Sequence, residues 1–217
     1  KDLEDGFSGS GYLRSAYALA DDLPYNSFVM AGFYQPMFGH YNPDHNTLAN
    51  EVSGLRQPGI PSTNTFKSVG IGSAPNVPFF NAHLLKPTTR SNASQEDGFV
   101  VNVGARFVTL SLNTKLSYWS TSAKQNSGGV RDKEMISLSA GGMYGPTIVN
   151  AEALRVDEQL GSVKNGGNVY TLETKTRFWR ENYFVLNYAT SNVARDLSPG
   201  SADEYMTGVK SFLVAGA

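Results

Sequence analysis

A period of two runs through most of this chain, and that period decides what it can become. From Thr109 to Ser122, Leu110, Leu112, Thr114, Leu116 and Tyr118 share one face, with Thr109, Ser111, Asn113, Lys115 and Ser117 on the other. Successive side chains of an extended strand point to opposite sides, so this is a strand with one dry and one wet face. Val169 to Trp179 repeats the division, with Tyr170, Leu172, Thr174, Thr176 and Phe178 opposed to Thr171, Glu173, Lys175 and Arg177. Here the wet face carries full charges.

Nine further segments read as strands: Gly11 to Leu19, Ser27 to Tyr34, Phe66 to Ser73, Phe79 to Leu85, Phe99 to Val108, Met135 to Tyr144, Thr147 to Val156, Tyr183 to Thr190 and Glu204 to Val214,. With the two above they make about eleven. Turn-forming residues separate them, and short connections alternate with long ones. Gly145-Pro146 and Glu181-Asn182 are expected as tight turns, and Ala123 to Asp132, Asp157 to Gly167 and Ser191 to Asp203 as loops. Tight turns at one end and long loops at the other are the habit of outer-membrane barrels, whose tilted strands need about 9–11 residues to cross the bilayer. Tyr118 and Trp119, Tyr144, Tyr170, Phe178 and Trp179, Tyr183 and Phe184, Tyr188, Tyr205 and Phe212 gather near strand ends. Such rings favour the level of the lipid headgroups and would form the barrel's girdles.

Composition narrows the choice. Only 17% of residues are charged, below the ordinary soluble share of about 25%, while 40% are hydrophobic and glycines number 22,. With 18 Lys+Arg against 19 Asp+Glu and no block of either sign, the basic footprint of a nucleic-acid binder is missing,. Zero Cys excludes thiolate metal sites, disulfides, thiol catalysis and haem attached through cysteine,. The uncharged stretches Val69 to Leu85 and Met135 to Ala151 are interrupted by Pro75, Pro78, Gly141, Gly142 and Pro146, which argues against transmembrane helices,. The chain starts at Lys1 without a Met or an apolar leader, as a mature product or an internal fragment would,. No internal boundary divides it, so residues 1–217 are read as one domain.

Several segments resemble, as a set, the porin-like outer-membrane proteins found alongside multihaem cytochromes in Gram-negative bacteria. They are Gly32-Phe33-Tyr34-Gln35-Pro36-Met37-Phe38-Gly39 followed by Pro43-Asp44-His45, then Ala74-Pro75-Asn76-Val77-Pro78-Phe79. At the C-terminal end come Arg177-Phe178-Trp179-Arg180-Glu181, Asn187-Tyr188-Ala189-Thr190-Ser191-Asn192 and Gly200-Ser201-Ala202-Asp203-Glu204-Tyr205. The resemblance covers about half of the chain. It implies a β-barrel in the cell outer membrane and leaves room for a multihaem cytochrome as partner. Members of that group run longer and close on an aromatic residue, whereas this chain stops at Ala215-Gly216-Ala217, so truncation at the C-terminus is expected.

The expected fold is therefore all-β, an antiparallel transmembrane up-and-down barrel of roughly 8–12 strands. Its expected work is a polar passage for small solutes, or a sheath around a partner protein, with the lipid bilayer as its surroundings; a homo-oligomer fits as well. Asn113, Lys115, Asn150, Glu152, Glu173, Lys175, Arg177 and Asn187 are the candidate pore-lining residues, and their mixed signs give no strong preference between anions and cations,. A soluble β-sandwich or jelly-roll binding module is the alternative, because alternation alone does not say which face meets water.

No enzyme, cofactor or metal is expected. His40, Asp44 and His45 could ligate a divalent ion, but Asn42-Pro43-Asp44 is strong turn chemistry and no fourth ligand is at hand,. His83, alone in a strand, reads as packed or interfacial. No nucleophile elbow precedes a helix, which leaves a rim-catalytic barrel as a minor option, and Gly9-Ser10-Gly11 and Gly70-Ile71-Gly72 lead into no helix that would make them phosphate loops,.

Overall fold

Eleven antiparallel strands follow one another in chain order and pair only with their sequence neighbours. They are β1 (Ala16–Leu23), β2 (Ser27–Tyr34), β3 (Phe66–Ser73), β4 (Phe79–Lys86), β5 (Asp97–Phe107), β6 (Leu112–Lys124), β7 (Val130–Tyr144), β8 (Thr147–Leu160), β9 (Val163–Trp179), β10 (Asn182–Ser191) and β11 (Met206–Val214). The computed structural model describes residues 15–39, 65–74, 77–87, 96–124, 129–179, 182–191 and 206–214. The architecture is the expected up-and-down one, in a sheet that is not closed: β1 and β11 are its two edges.

One end of the sheet carries only short connections, over residues 24–26, 74–78, 108–111, 145–146 and 180–181. The opposite end carries residues 35–65, 87–96, 125–129 and 192–205. Gly145-Pro146 is the tight turn that the sequence indicates, with Gly145 at φ 56°. The expected loop from Asp157 to Gly167 is instead continuous strand. β8 and β9 pair up to Leu160↔Val163, and Gly161 (φ 60°) with Ser162 closes the hairpin in two residues. A glycine adopts this left-handed conformation without the steric cost that a Cβ would bring, so the strands reach past the bilayer belt before they turn. Residues 108–110, read as strand, form a short 3-10 turn.

The two faces of the sheet are inverted relative to a soluble protein. On β7, Ile136 and Leu138 stand exposed while Lys133, Met135, Ser137 and Ser139, which alternate with the outward positions, are buried. On β6, Leu116 is 50% exposed whereas Ser117 is fully buried. Cross-strand register carries the same division around the sheet, joining Leu116 to Leu138 to Ala153 to Tyr170 on the outer face. No second layer of protein covers that face among the described residues. Apolar surface of this extent on a soluble domain would cost about 25 cal/mol per Å² in water.

Candidate functional site: the inner face

The outer face has the dimensions of a bilayer belt. On β5 it runs Phe99, Val101, Val103, Ala105, Phe107, about 27 Å along the strand and about 21 Å along the membrane normal at a tilt of about 40°. An aromatic residue closes each end. Phe99 packs at 5.8 Å from Tyr118 at the long-loop end, where Tyr170 and Tyr188 are also exposed. Exposed Phe80, Phe107, Phe178 and Phe184 lie toward the short turns. Beyond the upper ring the outer face turns charged, through Lys86, Asp97, Asp132, Glu134, Arg155 and Asp157. Trp119 does not join the girdle: it is fully buried on the inner face, because adjacent residues of a strand point oppositely and Tyr118 takes the outer side,.

Hydrogen-bonded register orders the inner face into rows. One row runs without a break from β5 to β11 through Arg106, Asn113, Gly141, Asn150, Glu173, Asn187 and Lys210, every member polar or glycine. Its span is about 29 Å, from six strand spacings of about 4.8 Å. Asn150 donates to Glu173 at 3.4 Å within it. The adjoining row toward the long loops holds Lys115, Ser139, Glu152 and Thr171; Lys175 and then Arg177 follow toward the short turns. All eight residues singled out from the sequence thus occupy inner-face positions, four of them in one row. Arg106, Asn102, Ser117 and Ser137 belong to the same face and follow from the same alternation, extended by two residues at a time.

Above these rows the interior is filled. Phe38, Phe66, Leu85, Val100, Trp119, Met135, Leu154, Val156 and Val169 form an apolar cluster, with Phe38 and Phe66 edge-on to Trp119 at 5.8 and 5.4 Å. Phe38 arrives on a strap, residues 35–39, that leaves β2 and crosses the inner face. Asn102 Nδ2 donates to the Met37 carbonyl at 2.9 Å, Gly39 N–H donates to Ser117 Oγ at 3.1 Å, and Lys115 Nζ donates to the Gly39 carbonyl. Gly39 holds φ 59°, a conformation that favours glycine, and a Cβ there would press on the Glu152 carboxylate,. Ser137 Oγ donates to that same carboxylate.

Two polar groups flank the cluster. His83 is buried, with Nδ1 3.1 Å from Tyr34 Oη and Nε2 3.2 Å from Asn81 Oδ1, which also accepts from Asn102 Nδ2 at 2.6 Å. This is the packed histidine that the sequence indicates. Toward the long loops, Lys133 pairs with Glu96 at 3.4 Å, Thr121 donates to Glu96 at 2.8 Å, and Arg131 pairs with Glu158. Buried charges of opposite sign are met here in pairs, as a low-dielectric interior demands. His40, Asp44 and His45 lie outside the described residues, as does the whole segment Gly200–Tyr205.

A single sheet with an exposed apolar belt, aromatic rings at both margins and a polar, charged inner face defines the wall of a transmembrane β-barrel of the outer membrane. Known proteins of that class share the fold. In-vitro folded OmpT, an outer membrane protein of Vibrio cholerae, in its trimer form, superposes with a TM-score of 0.56 at 13% identity, over 92% of this chain and 60% of that one. OmpT lacking loop L8 gives 0.57 at 12% identity, over 91% and 61%. At such identities the likeness is one of fold, and this chain spans about three fifths of the length of the structures it matches. No protein-family model and no curated protein matches the sequence.

Proposed function

We propose that the protein forms a polar passage for small solutes across the outer membrane, without a chemical step of its own. The row from Arg106 to Lys210 carries this reading: a polar band sustained over so many neighbouring strands has no apolar partner to pack against and is suited to line water,. Asn113, Lys115, Asn150, Glu152, Glu173, Lys175, Arg177 and Asn187 are its lining. Buried Asn102 Oδ1 and Thr171 Oγ1, which have no hydrogen-bond partner among the described residues, favour water on this face, since an acceptor left dry costs about 1–3 kcal/mol,.

The strap at residues 35–39 crosses the inner face and is bonded to it by Asn102, Ser117 and Lys115. Phe38 and the Gly39 turn occupy interior space that a protein cargo would need, which favours small solutes over a sheathed partner. The trimer form of OmpT makes a trimer the oligomer to look for. Purified protein inserted into a planar lipid bilayer is expected to give discrete current steps. A preparation that is inserted and heat-modifiable on a gel yet passes no current would overturn the proposal.

A further inference from the structure

Resting on the passage proposed above, we infer that its solute is a small anion, met by Arg106 and Arg177 at the short-turn end. The charges on the inner face are divided unevenly along the strands. In the long-loop half, Lys133 is paired with Glu96 and Arg131 with Glu158, so the two signs cancel. In the short-turn half of β5–β9 stand Arg106, Lys115, Lys175 and Arg177 against Glu152 and Glu173.

What a solute would touch is more one-sided still. Glu152 is buried and accepts from the Ser137 hydroxyl, and half-buried Glu173 accepts from Asn150. Arg106 and Arg177 are exposed and make no ion pair among the described residues. The Arg106 guanidinium lies 4.8 Å over the Phe79 ring, a contact that holds the head in place without cancelling its charge,. Asp21 and Asp22 are also at the short-turn end, but on β1. Four strand spacings, about 19 Å along the sheet, separate β1 from β5 and likewise Arg106 from Arg177, more than twice the screening length of about 8 Å in physiological salt, so each arginine acts on its own surroundings,. The field a permeating ion feels close to either arginine is therefore positive.

Reversal potentials test this in bilayers holding the purified protein under a potassium chloride gradient. The wild-type potential is expected to have the sign of chloride preference. Arg106→Gln and Arg177→Gln are each expected to lower the chloride-to-potassium permeability ratio by about twofold or more, while Lys86→Gln, on the outer face beside Asp97 and beyond the apolar belt, leaves it unchanged. Heat-modifiable migration verifies that each variant has folded, and exposed Arg177 carries the test if Arg106→Gln does not fold. A potential of zero or of the opposite sign, or a ratio unmoved by both arginine variants, overturns the anion inference and leaves the passage standing. Absence of current from inserted protein overturns both.

Discussion

Leu138→Arg puts the inverted face to its most direct test. Leu138 is 58% exposed on the outer face of β7, between Ile136 and Ala140 along the strand and between Leu116 and Ala153 across it. It sits near the middle of the apolar belt. An arginine on the lipid face at the bilayer midplane costs about 2–4 kcal/mol. At 1.4 kcal/mol per factor of ten, the folded-to-unfolded ratio should fall by about 30- to 700-fold. Val130→Arg supplies the comparison: same strand, same face, 44% exposed, but at the long-loop end beyond the belt. Its cost should be about 0–1 kcal/mol. Were this face of the sheet in contact with water, both changes would be surface substitutions within about 0.5 kcal/mol of neutral. Reversible urea unfolding in phospholipid vesicles, followed by heat-modifiable migration, separates the outcomes. Two variants within about 0.5 kcal/mol of wild type and of each other would refute the lipid-facing belt.

Three further outcomes follow from the interior. Gly39→Ala forces a Cβ into the Glu152 carboxylate at φ 59°, so the strap should shift and single-channel conductance should rise. Phe38→Ala removes a ring from the Trp119 and Phe66 cluster; the loss should be about 3–5 kcal/mol in urea unfolding and conductance should rise with it. Glu96→Gln leaves buried Lys133 without its charge partner and should cost about 3–5 kcal/mol, most of it regained in the Glu96→Gln/Lys133→Met double variant, as unfolding midpoints will register.

The strands were legible because alternation is a local property. Each hairpin repeats it, and a one-residue slip would turn every side chain to the wrong face. The same rule, applied residue by residue, puts Trp119 inside with Ser117 and corrects the expectation that it joins Tyr118 in the girdle. The β8–β9 hairpin was harder to read. Gly161 to Asn168 is rich in turn formers, yet only Gly161 and Ser162 turn, while Gly166 and Gly167 remain in the ladder opposite Asp157 and Val156. Turn propensity reports what a residue tolerates, and ladder hydrogen bonds to β8 outweigh it here.

The strap left no local sign at all. Gln35, Pro36 and Gly39 spell an ordinary exit from a strand, and what draws the segment inward is distant in sequence: Trp119 for the Phe38 ring, Asn102 and Ser117 for its backbone. Those same residues decide the sign of the sheet. Alternation sorted Ser117 and Lys115 from Leu116 and Tyr118, but either set could have met water. Once Asn102, Ser117 and Lys115 bond the strap, burying them satisfies polar groups that would be costly to bury unpaired. The apolar set is then left facing outward, where hydrocarbon is the medium that does not oppose it. The segment that crosses the inner face thus also helps to make this sheet a membrane wall.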